Sequence, residues 1–96
     1  MGFKSILKSL IPSKEDKHCA YIIDLLFNLG KKYKTCKFTN VTPGLAALLK
    51  REHGGTYSEV SQIYCMIPEK DTYGEISCKM KELDEFYAKE KVKRDR

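Results

Sequence analysis

TYSEVSQIYCMI, residues 56–67, opens on a threonine and carries a glutamate three positions later. In that pattern, the capping box, Thr56 accepts from the backbone N–H of Glu59 while Glu59 reaches back to the start of the helix. Apolar residues then fall at Val60, Ile63, Tyr64 and Ile67, one face of a helix that Pro68 closes. Sixteen residues on, TYGEI at Thr72 to Ile76 repeats the opening, and Ile76, Met80, Leu83 and Tyr87 again share one face. The likeness ends after Ser61 and Ser77, so the echo is expected to mark two helix starts rather than a duplicated functional motif.

Working outward, TPGLAALLKREH opens with Thr42 as N-cap and Pro43 at the first helical position, then stops at Gly54 and Gly55. Ser13, with Asp16 at the box position, opens a helix whose apolar residues Cys19, Ile22, Ile23, Leu26 and Leu29 are widened by Leu25 and Phe27. An arc that broad belongs to a central core helix, ended by Gly30. KKYKTCKFTNV, residues 31–41, lacks helical spacing and reads as a loop or short strand whose four lysines form a solvated connection. At the N-terminus Phe3, Ile6, Leu7 and Leu10 lie opposite Lys4 and Lys8, an amphipathic helix over residues 1–12 suited to an anionic membrane, a partner or its own domain, of which packing on its own domain is the expectation. The expectation is a single all-α domain over residues 1–96, with helices at about 2–11, 14–29, 43–53, 57–67 and 73–90 and a frayed charged tail at 91–96.

Ninety-six residues suffice for one small core. With 42% hydrophobic and 32% charged residues the chain should fold in water, and no apolar run approaches the roughly 20 residues that span a bilayer. Residues 1–50 hold nine lysines against three acids, whereas 51–96 hold nine Lys or Arg against ten. An anionic partner would therefore meet the first half. Cys19, Cys36, Cys65 and Cys78 form no C-x-x-C pair, so neither a metal nor a cofactor is expected. No secretory signal precedes them, which points to reduced thiols and a cytoplasmic protein. His18 is expected to be partly buried with a partner, and His53 to sit in the last turn of its helix, where the dipole favours it.

The segments TPGLAALLKREH and TYSEVSQIYCMI, joined only by Gly54 and Gly55, resemble a helix-turn-helix DNA-binding domain over residues 42–67. That resemblance implies that the second helix enters the major groove of double-stranded DNA with Ser58, Ser61 and Gln62 outward, Gln62 pairing with adenine. Lys37, Lys50 and Arg51 would contact phosphates. No Arg or Lys lies on that helix, and Glu59 stands at its N-terminal end.

Three classes of function compete. A catalytic site needs a nucleophile or acid/base held by partners in a cleft, and neither histidine sits in a recognisable motif, so no enzyme, catalytic residue or small-molecule substrate is expected. A small nucleic-acid-binding regulator is the preferred expectation. The rival is a protein-interaction module, an inhibitor or adaptor whose six tyrosines supply amphipathic anchors. A homodimer would suit a DNA reader, although no heptad demands one.

Overall fold

Ser13 starts the first helix with both halves of a capping box: its Oγ accepts from Asp16 N–H at 3.0 Å, and the Asp16 carboxylate accepts from Ser13 N–H at 3.0 Å. The computed structural model describes residues 11–66 and 74–94. Within them the order is α1 (Lys14–Leu29), α2 (Lys31–Lys34), β1 (Lys37–Thr39), α3 (Pro43–His53), β2 (Thr56–Ser58), β3 (Ile63–Cys65), β4 (Glu75–Ser77) and α4 (Met80–Arg94). The expected N-terminal amphipathic helix lies almost wholly outside the described residues.

Thr42 caps α3, accepting from Leu45 N–H at 3.1 Å, and its hydroxyl donates to Asp16 Oδ1 at 2.6 Å. One carboxylate therefore fixes the starts of two helices. The close approach requires Gly44, where a Cβ would overlap the Asp16 carboxylate and lie 3.2 Å from Pro12 Cα.

The four strands form one sheet in the order β2-β3-β1-β4, antiparallel except for the β1–β4 pair. Its register sets Tyr57 opposite Tyr64, Tyr64 opposite Phe38 and Phe38 opposite Ile76, an apolar row across all four strands. Alternation along each strand puts that row on one face. Phe38 and Tyr64 are fully buried in the core with Ile23 and Leu26 of α1, and Phe27 meets Phe38 edge-on at 5.9 Å. α1 packs against both α3 and α4, and α4 also reaches β4. The expectation of a central α1 holds.

The all-α expectation does not: the fold is α+β. Within the expected helix 57–67 the described residues supply the hairpin of β2 and β3, and within the helix expected over 73–90 the described residues form β4 and α4. The cause lies at both ends of the hairpin. Gly54 and Gly55 hold φ at +75° and +88°, turning the chain out of α3 into an extended path, and Gln62 at +55° closes the four-residue loop 59–62. The helical spacing at Val60, Ile63 and Tyr64 is coincidental, since Val60 is 99% exposed at the hairpin tip while Tyr57 and Tyr64 turn inward as a cross-strand pair. In the second echo Ile76 is buried by pairing with Phe38, and Met80 is exposed. β-branched and aromatic residues prefer the pleated surface that the sheet offers. The charged segment expected to fray from residue 91 stays helical to Arg94.

Candidate nucleic-acid interface

The hairpin leaves no recognition helix, and the six residues expected to touch DNA do not converge. Ser58 ends β2, and Ser61 and Gln62 lie in the hairpin loop. There the Ser61 N–H donates to Ser58 Oγ at 3.5 Å, and the Gln62 carbonyl accepts from Val41 N–H at 2.9 Å. That second bond sets the tip beside the start of α3. Lys50 and Arg51 are exposed in its last turn, about 10–12 Å along from Pro43 at the helical rise of about 1.5 Å per residue. Lys37 opens β1, with Nζ 3.7 Å from Glu75 Oε1.

A different cationic surface is assembled from α2, within the lysine-rich connection, and the last turns of α4. α1 ends at Gly30, and α2 carries Lys31, Lys32 and Lys34 outward while Tyr33 turns in, 2% exposed. The Tyr33 ring meets Phe86 edge-on at 6.1 Å, and its hydroxyl donates to the Glu90 carboxylate on α4. Lys32 Nζ stands 3.7 Å from Glu90 Oε1 and 4.9 Å from the Tyr33 ring centre, and Lys93 Nζ donates to Glu90 Oε2 at 3.2 Å. A Cβ at Gly30 would overlap the Arg94 guanidinium, which places the end of α4 against the end of α1.

α2 and the last turns of α4 thus carry Lys31, Lys32, Lys34, Lys89, Lys91, Lys93 and Arg94, all exposed, and two of them, Lys32 and Lys93, flank Glu90. Its side chain is only 12% exposed. Tyr33 and then Lys93 and Lys32 hold Glu90 below the usual carboxylate range despite partial burial. Burial, followed by the bond to Glu90, pushes the Tyr33 phenol up, so it stays a donor at neutral pH. The bond to Tyr33 raises Lys32. Six of the seven cations are lysines, point charges that meet phosphate without reading bases bidentately. The missed signal was Tyr33 within a lysine run: a ring there asks for a buried partner, and Phe86 and Glu90 on the same helical face provide it.

The thiols take no part in this surface. All four cysteines are buried and outside any disulfide; Cys19 Sγ donates to the Cys78 carbonyl at 3.4 Å, and burial, then Asp16, pushes its thiol up to about 11. Such a thiol is a poor nucleophile at neutral pH. His18, half-exposed, has the Asp84 carboxylate 2.7 Å from Nε2. Among the described residues no helix is long and apolar enough to cross a membrane. Comparison with models of known protein families, with curated proteins and with solved structures finds no match.

Proposed function

We propose that the chain is a nucleic-acid-binding protein that grips phosphate backbone through the cationic end formed by α2 and the last turns of α4. The observation that carries this reading is that Tyr33 packs on Phe86 and bonds to Glu90, which sets two adjoining elements, from segments some 55 residues apart, side by side with seven exposed Lys or Arg between them. Folding brings like charges together here at an electrostatic cost, and a polyanion that releases its counterions on binding recovers it. The lysine-rich composition favours binding without strong sequence preference.

The test is fluorescence anisotropy of labelled duplex DNA at low and moderate salt. The first variant reverses one exposed charge from each segment, Lys31→Glu with Lys91→Glu; a comparator carries Lys50→Glu with Arg51→Glu. Wild-type affinity should fall steeply with salt, and the first variant should bind about tenfold more weakly with a salt slope shallower by about 2. Loss confined to the comparator would move the interface to α3. Absence of wild-type binding at low salt would discard nucleic acid in favour of a protein partner, for which the fully exposed Val60 at the hairpin tip is the anchor to substitute first.

A further inference from the structure

Beside α2, α1 and α3 bring three metal-ligating side chains to the mouth of one cavity. Asp24 comes from α1, and Glu52 and His53 from the last turn of α3. His53 Nε2 lies 2.8 Å from Asp24 Oδ1 and 3.6 Å from Glu52 Oε2, and one ligand atom from each of the three falls within 4.8 Å of the others. Ligand atoms bound at about 2.0–2.2 Å to a tetrahedral ion stand about 3.3–3.6 Å apart. The two histidine distances bracket that range, so small side-chain rotations would complete the triangle.

Three further features favour a cation at this point. The imidazole is oriented before any ligand arrives, because Phe27 meets it edge-on with ring centres 4.8 Å apart. The group sits at the C-terminal end of α3, where the helix dipole attracts positive charge. The cavity, about 410 Å³ and lined also by Asn28 and Lys34, leaves room for water to complete the coordination.

We propose that Asp24, Glu52 and His53 form a binding site for a divalent ion of the zinc class, with three protein ligands and an open fourth position. The donor set of one imidazole and two carboxylates suits such an ion. Lys34 on the cavity wall opposes it, so removing that ammonium should tighten binding. The site shares Lys34 with the cationic end, but none of its three ligands belongs there, so metal binding and nucleic-acid binding can be tested separately.

The experiment is isothermal titration of chelator-treated full-length protein with zinc chloride, repeated with cobalt(II) while its ligand-field absorption is followed. One ion per chain is expected, with no thiolate-to-cobalt charge-transfer band. Asp24→Asn and Glu52→Gln should each weaken binding about tenfold or more, with the circular dichroism of the apo protein unchanged, and Lys34→Ala should strengthen it. The two carboxamide variants keep side-chain shape and spare the His53 packing on Phe27, so they report on ligation rather than folding. Failure of the folded protein to bind either ion, affinity unchanged in both variants, or a thiolate band showing capture by cysteine would each overturn the assignment.

Discussion

At Gly55 the backbone holds φ at +88°, and a Cβ built there would lie 2.5 Å from the Cys65 carbonyl oxygen and 2.9 Å from Met66 Cα. At Gly54 φ is +75° with ψ −143°, but nothing lies within 4 Å of the same position. The two neighbours therefore separate backbone strain from overlap. Gly54→Ala should cost about 1–3 kcal/mol, the usual penalty for a side chain in a conformation that favours glycine. Gly55→Ala should cost more, because the opposing strand cannot withdraw from β2 without breaking its ladder. Urea denaturation of both variants checks this, and equal losses would show that the overlap relaxes freely. Tyr64 makes the same turn rigid: its hydroxyl donates to the Gly54 carbonyl at 2.6 Å, satisfying a group that the end of α3 leaves without a helical partner.

Among the elements, helix starts were legible and one class of strand was not. Ser13 and Thr42 read correctly because a capping side chain acts within a few residues of itself, as does Pro43 at the head of α3. Thr56 has the same local chemistry, yet it opens β2, since Tyr57 is drawn inward by Tyr64 and by its own hydroxyl bond to the Val41 carbonyl at 2.6 Å. Partners seven and sixteen residues away decide that outcome, and no helical periodicity within the segment records them. The metal-ligating group was hidden for the same reason: Asp24 and His53 lie 29 residues apart and meet only because α1 packs on α3. Those two helices are joined most closely at Asp16. Asp16→Ala should cost about 1–2 kcal/mol by removing the acceptor of the Ser13 N–H, one half of the capping box of α1, and the acceptor of the Thr42 hydroxyl. Gly44→Ala, which pushes a methyl into the Asp16 carboxylate, should cost at least as much in the native chain and clearly less in the Asp16→Ala background. A double-mutant cycle measures this coupling, and strict additivity would show that the two positions do not meet.

For the molecule as a whole, acid should be more damaging at the cationic end than its exposure suggests. Glu90 is held below its ordinary value of 4.5. Its contribution to stability is therefore complete above about pH 4.5 and disappears as pH falls from there through the depressed folded value. Protonation also removes the charge that Lys32 and Lys93 flank, so added salt should restore part of the loss by screening the cations of this end. Thermal melts of wild type and Glu90→Gln between pH 7 and pH 3 test the point: the variant should start less stable and lose less on acidification, and parallel curves would rule Glu90 out as the source. The strand order carries a consequence in time as well as in space. β1, near the middle of the sheet, pairs with β3 and β4, which follow it by 26 and 38 residues. A chain emerging from the ribosome at about 5–20 residues per second thus holds α1, β1 and α3 outside for seconds before either neighbour of β1 exists. During that interval Phe38 has no sheet to join, and the helices, whose contacts are local, are the part of the fold free to form first.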